Sequence, residues 1–231
     1  MASNKLMQIS LAVFNFLKSI RKNNNREWFE KNKSRYSEAQ EDMIRFADAL
    51  LSRMNGHDLI ETPSGKKSLF RIYRDVRFSK EKTPYKTSWS GHFRRATSSL
   101  RGGYYYHIEP GNSYAAGGFF NPNPADLARI RQDIDFNYPD WNKVLKRKST
   151  VFGVLGGECL KTAPVGYSAD HPAIGLLRHK QFILKHHFTD KEVMGPEFLR
   201  LLNATFSDMR PFFDYMSEVL TTDNNGTPIN E

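Results

Sequence analysis

From Leu69 to Phe120 the apolar residues recur at every second position in four successive stretches, and the connections between those stretches are short. A period of two marks strands with one buried face. Parallel neighbours need a crossover of a dozen or more residues, so connections this short call for antiparallel pairing. The expected strands cover 69–78, 89–95, 104–109 and 113–120, with Pro110-Gly111-Asn112 as the turn before the last. In the first of them Phe70, Ile72, Val76 and Phe78 share a face with Arg74, while Leu69, Arg71, Tyr73, Asp75 and Arg77 share the other. Arg74 interrupts the apolar set, and a guanidinium there has to reach an edge or find a carboxylate. Gly117-Gly118 in the fourth strand predicts a bulge or the close approach of another backbone or a ligand, the bulge being the commoner cause.

Helical spacing flanks this region. Leu11, Phe14 and Leu17 predict a helix over 10–20 with Ser10 at its N-cap. After Asn23-Asn24-Asn25 a second helix opens on Asn25 as cap and Glu27 at the positive dipole end. It carries a core-facing stripe of Trp28, Phe29, Tyr36, Met43, Phe46, Leu50 and Leu51, and ends at Asn55-Gly56. Asn123-Pro124 reads as N-cap and first helical residue ahead of Leu127, Ile130 and Ile134, with Pro139 separating that helix from a piece through Trp141, Val144 and Leu145. Residues 151–166 suit strands or extended loop. Asp170 is expected to cap a short helix with Pro172 in its first turn, 182–188 to add a strand, and the last helix to begin near Pro196 with Pro211 kinking or dividing it. These elements predict one α+β domain over residues 1–231, a mainly antiparallel sheet flanked by N-terminal and C-terminal helices, with its core at about 10–220 and frayed ends.

At 231 residues and 39% hydrophobic content the chain can bury a sizeable core, which argues against disorder. The first thirty residues lack a signal-peptide pattern and no apolar run approaches the ~20 residues that span a bilayer, so a soluble, cytoplasmic protein without a membrane partner is expected. Cys159 is the one cysteine, in keeping with a reducing compartment, and it reads as a packed thiol.

Charge is where the sequence speaks to function. Between Lys66 and Arg101 stand eleven Lys and Arg against the acids Asp75 and Glu81, a surplus of nine that equals the net +9 of the whole chain. A positive field so localised favours an anionic partner, although a solvated basic face kept for solubility has the same composition. Arg71, Arg74, Arg77, Lys80, Lys82 and Lys86 are the candidate anion-binding groups. If the strands at 69–78 and 104–109 share a sheet, Arg71, Tyr73, Asp75 and Arg77 can lie beside Tyr105, His107 and Glu109, with His92 able to join them. Asp75, His107 and Glu109 are then the candidates to orient arginines or move a proton. An ordinary polar sheet face, its cross-strand pairs worth ~1 kcal/mol or less, has the same pattern.

Other chemistries find less support. The segment Ser79 to Pro84 lacks the glycines of a phosphate-wrapping P-loop. The seven histidines show no metal-ligand spacing, so no metal site is expected, and nothing points to a particular cofactor. Tyr73, Phe78, Tyr85, Trp89 and Phe93, interleaved with the basic residues, have the composition of a base-stacking surface, although most such rings pack in cores.

FRIYRDVRFSKEKTPYKT at 70–87, NNNREWF at 23–29, AGGFFNP at 116–122 with LARIR at 127–131, and PVGYSADHPAIGLLRHKQF at 164–182 together resemble the DUF2461 family, bacterial and fungal proteins of unknown function. The resemblance implies that the chain acts as one unit and brings no substrate, cofactor or catalytic residue with it. The expectation is therefore an anion-binding domain, or an enzyme acting on a phosphorylated small molecule or nucleotide. Its rivals are a non-catalytic nucleic-acid-binding module and a domain that docks onto an acidic protein surface.

Overall fold

The computed structural model describes residues 8–146, 155–223 and 227–229. Helices α1 (Leu11–Lys22), α2 (Arg26–Lys31), α3 (Lys33–Met54) and α4 (Gly65–Ser68) precede strands β1 (Trp89–Arg94), β2 (Gly103–Ile108) and β3 (Ser113–Phe119). Then come α5 (Pro124–Phe136), α6 (Tyr138–Leu145), α7 (Ile174–Leu177), β4 (Phe182–Phe188), α8 (Asp190–Val193) and α9 (Phe198–Thr221). The four strands form an antiparallel sheet in the order β1-β2-β3-β4, and the fold is α+β as the alternation predicts.

The expected strand at 69–78 does not form. Its backbone touches the neighbouring chain only through single antiparallel bridges, Leu69 to Gly91 and Tyr73 to Tyr85. Arg74 N–H donates to the Pro84 carbonyl at 2.9 Å and Lys86 N–H to the Ile72 carbonyl at 2.8 Å. Pro84 itself has no N–H to return, and the outward-facing N–H and C=O of Tyr85 are both taken by the side-chain amide of Asn24, at 3.0 and 2.9 Å. Burial confirms the loss of the strand face: Ile72 is buried, but Phe70 is exposed and Phe78 is 95% exposed.

By its contacts the chain divides into two compact units, one holding the chain through Phe93 with Tyr105–Ala115 and His187–Ala204, the other Arg94–Tyr104, Ala116–His186 and the chain from Thr205 on. In the first unit α1 lies against α3, with Val13, Phe14, Phe16, Leu17 and Ile20 buried from one and Ala39, Met43, Phe46, Ala47 and Leu50 from the other. Each phenylalanine so buried contributes about 2–3 kcal/mol of hydrophobic free energy. The expected second helix is two helices, because Asn32 leaves helical geometry (φ −114°, ψ 19°) and its side chain donates to the Trp28 carbonyl at 2.9 Å. Asn25 caps α2 as expected, accepting from Trp28 N–H at 2.9 Å. Ser10 stands at the N-cap of α1 but its side chain makes no capping bond.

In the second unit Asn123 and Pro124 open α5 as expected, and the break before α6 falls at Asn137, with Pro139 inside the first turn of α6. Asp170 does not cap α7, which starts after Ala173. Cys159 is exposed, not packed. Pro211 neither divides nor ends α9, for Phe206, Met209, Phe212, Phe213 and Met216 are all buried and hold the helix on both sides of it. Gly117 and Gly118 mark a close approach. A Cβ on Gly117 would meet Met209 Sδ and the Phe213 ring at 2.7 Å, and one on Gly118, whose φ is +140°, would stand 2.1 Å from the Phe182 carbonyl oxygen. The buried guanidinium of Arg95 lies 5.6 Å from the Phe213 ring and pairs with Asp214 at 2.5 Å.

Candidate functional site

Alternation along β2 sends Tyr104, Tyr106 and Ile108 into the core and leaves Tyr105 and His107 half-buried on the other face, a series that Glu109 continues just past the strand. His107 Nδ1 lies 3.1 Å from the Tyr105 hydroxyl and its Nε2 3.2 Å from Glu109 Oε2. The imidazole stacks on Tyr114 of β3, centroids 4.8 Å apart and planes at 14°. The His187 ring of β4 lies 5.6 Å from that of Tyr114.

Glu109 is the hub. Its Oε1 accepts from Arg21 Nη2 at 2.7 Å and from the Thr87 hydroxyl at 2.9 Å, and its Oε2 accepts from Asn112 Nδ2 at 3.0 Å. Burial works to raise this carboxyl, but the hydrogen bonds from Asn112, His107, Thr87 and Arg21 outweigh it and hold the pKa at about 2. Glu109 is therefore ionised at neutral pH. Tyr114 moves the other way: burial first, then the charge and hydrogen bond of Tyr105, push its phenol up to about 12.

The basic loop divides into tied and untied cations. Arg74, the residue that broke the apolar pattern, finds a carboxylate: Nη1 lies 3.0 Å from Glu81 Oε2 and donates to the Thr83 hydroxyl. Arg77 forms a two-pronged pair with Asp75 at 2.9 and 2.6 Å, and Lys82 donates to the Val76 carbonyl at 3.0 Å. These bonds make Arg74, Arg77, Asp75 and Lys82 part of the loop's own architecture, and Lys80 is exposed. Arg71 and Lys86 have no hydrogen bond or ion pair from their side chains among the described residues. Lys86 Nζ sits 5.3 Å from the centroid of Phe70, whose ring lies 6.2 Å from Tyr105. Burial, and then the charge of Arg71, lower the Lys86 pKa.

Of the expected polar set the structure brings Tyr105, His107 and Glu109 together and leaves Asp75 with Arg77 in the loop. His92 is half-buried on β1. Tyr85, Trp89 and Phe93 are core residues, which leaves Tyr73 and Phe78 as the exposed rings among those that could stack a base. Arg21, Thr87, Asn112 and Tyr114 were not legible as site residues. Asn112 had a local signal, standing three residues after Glu109 in the turn, but Arg21 and Thr87 are 88 and 22 positions away from it.

A cleft of about 910 Å³ in the second unit has the opposite character, lined by Asp133, Asp140, Glu218 and Asp223 with Arg129. Asp133 there is structural, accepting from Trp141 Nε1 at 2.7 Å and the Tyr215 hydroxyl at 2.8 Å. Among the described residues no three His, Cys, Asp or Glu side chains are placed to hold a metal ion, and no helix is long and apolar enough to cross a membrane.

A family model described as "Conserved hypothetical protein (DUF2461)" matches residues 12–215. The chain belongs to the DUF2461 family. The match takes in every part of the Tyr105, His107 and Glu109 cluster as well as Arg71 and Lys86, so these are features of the DUF2461 region and not of an appendage. Neither a curated protein nor a solved structure gives a match.

Proposed function

We propose that this DUF2461 protein binds a phosphorylated small molecule or nucleotide at Arg71 and Lys86. One observation carries the reading: these two cations stand close enough for their charges to interact, neither makes an ion pair among the described residues, and Asp75, whose charge also reaches Arg71, is already tied to Arg77. Lys86 has also given up part of its hydration to sit against Phe70. A bound phosphate would relieve both costs, accepting from the guanidinium fork and the ammonium together, and Phe70 offers an aromatic face beside it. A cytoplasmic location suits such a ligand and agrees with the single cysteine.

The test is thermal stabilisation by pyrophosphate, ADP, ATP and glucose 6-phosphate. At least one should raise Tm, and Arg71→Ala or Lys86→Ala should weaken its binding about tenfold or more, as the loss of a charge-assisted hydrogen bond requires. Stabilisation by none of them, or binding indifferent to both substitutions, would overturn the reading.

A nucleic-acid reading draws on a separate observation. Phe78 is 95% exposed at the tip of the basic loop, with the Arg77 guanidinium 5.9 Å from its ring centroid, an arrangement suited to stacking a base. On this reading an oligonucleotide binds with an affinity that falls steeply and linearly on a log–log salt plot, and Phe78→Ala weakens it. Small-anion binding that depends on Arg71 and Lys86, with no oligonucleotide binding, decides for the first reading.

A further inference from the structure

We infer that Tyr105 is a nucleophilic hydroxyl activated by His107 and oriented by Glu109, and that it accepts the phosphoryl group of a phosphate ester held by Arg71 and Lys86. The inference rests on the anion-binding reading for its substrate, and on a separate geometric argument for its chemistry.

That argument is one of hydrogen-bond direction. An ionised carboxylate accepts and cannot donate, so the 3.2 Å contact at Glu109 requires the proton of His107 to be on Nε2. In a neutral imidazole Nδ1 is then the acceptor, and the Tyr105 hydroxyl at 3.1 Å is its donor. The Tyr114 ring packs beside Tyr105, centroids 5.9 Å apart. The direction is consistent along the strand: Tyr105 to His107, His107 to Glu109. Arg21, Thr87 and Asn112 hold the carboxylate at the far end. A base with its proton on one nitrogen and a hydroxyl on the other, fixed by a half-buried acid, is the arrangement that activates a hydroxyl nucleophile. Phe70, its ring centroid 5.3 Å from Lys86 Nζ and 6.2 Å from that of Tyr105, brings Lys86 towards the nucleophile's end of the chain, and the charge of Arg71 reaches Lys86.

The step balances as follows. Tyr105 Oη bonds to phosphorus while its proton passes to His107 Nδ1. The ester P–O bond breaks, and the departing oxygen takes that proton to leave as an alcohol. Water then attacks the phosphotyrosine and gives its proton to Nδ1, the P–Oη bond breaks, and the phenolate recovers the proton. Glu109 stays ionised throughout. Ester and water become alcohol and phosphate, with no oxidant or metal in the balance.

Two probes separate this chemistry from the binding reading. With N-acetylimidazole, a neutral acyl donor, peptide mapping should find half-buried Tyr105 acetylated faster than Tyr73, which is 52% exposed. His107→Gln should slow that labelling about tenfold or more, and Glu109→Gln should slow it less. Labelling of Tyr105 no faster than of Tyr73, or unchanged in a folded His107→Gln protein, would overturn the inference. With p-nitrophenyl phosphate, release of p-nitrophenol should require Tyr105, and release no greater than in Tyr105→Phe would overturn the phosphoryl step. Arg71→Ala and Lys86→Ala should raise KM for that anionic donor. Intact acetylation with a KM indifferent to both substitutions would sink the anion-binding reading and spare the activated tyrosine.

Discussion

Arg95 and Asp214, 119 positions apart in the chain, meet at 2.5 Å, with the guanidinium wholly buried and the carboxylate 46% exposed. The arginine also donates to the Arg101 carbonyl at 3.1 Å. Removing the acid takes a charged partner at 2.5 Å from a buried cation, whereas removing the arginine leaves a carboxylate that water can reach. Asp214→Ala should therefore cost about 2–3 kcal/mol, reduced from the fully buried case by that exposure. Arg95→Met, which keeps the contact with Phe213, should cost less. Urea unfolding of both variants checks the order, and a larger loss in Arg95→Met would refute it.

Glu109 gives the acid limb of stability a specific origin. Its folded pKa of about 2 lies below its ordinary value of 4.5, so its contribution is complete above pH 4.5 and disappears as pH falls from there towards 2. Wild type should exceed Glu109→Gln by about 2 kcal/mol at pH 7, after discounting for solvent screening, with the gap closing across that window. A gap that stays constant from pH 7 to pH 3 would show that the carboxylate is not held by its donors.

Two glycines with positive φ should respond very differently to alanine. Gly111, at φ +80° in the β2–β3 turn, has nothing within 4 Å of the added methyl, and Gly111→Ala should cost about 1 kcal/mol for its backbone alone. Gly118→Ala has to move the Phe182 carbonyl as well and should cost about 3 kcal/mol or more. Equal denaturation midpoints would contradict the close approach.

Glu81 restrains Arg74 and lowers the loop's field. Glu81→Gln should leave stability nearly unchanged, since the pair is exposed on the acid's side. The same substitution should tighten binding of the stabilising anion a few-fold by removing one negative charge from the basic loop. Calorimetric titration checks this, and weaker binding would mean that Arg74 must be held for the site to form.

The strands at 89–94, 103–108, 113–119 and 182–188 were legible because a period of two survives wherever a strand has one wet and one dry face. The stretch at 69–78 carried the same period and yet is a loop, because the segment opposite it carries a proline and has the free edge of Tyr85 taken by the Asn24 side chain, neither of which a hydrophobicity pattern records. Arg74 was the warning in the sequence. Of the two outcomes open to it, an edge or a carboxylate, Arg74 finds a carboxylate, but Glu81 lies in the turn beyond and not across a sheet. The site was half visible for a similar reason. Tyr105, His107 and Glu109 stand two residues apart along β2 and its end, so their common face follows from local geometry, whereas two of the four donors that keep Glu109 charged, Arg21 on α1 and Thr87, are distant in the chain and only folding brings them there.

The Asn24 clamp on Tyr85 has a consequence for association between molecules. An extended segment with an open N–H and C=O invites strand addition from another chain, the first contact in edge-to-edge aggregation and strand exchange. Asn24 answers both groups from within the same molecule, as a paired strand would, and so withdraws that stretch from recruitment. Asn24→Ala would return a donor and an acceptor to the surface beside the basic loop. The harm should appear first as concentration-dependent self-association, before any loss of the fold.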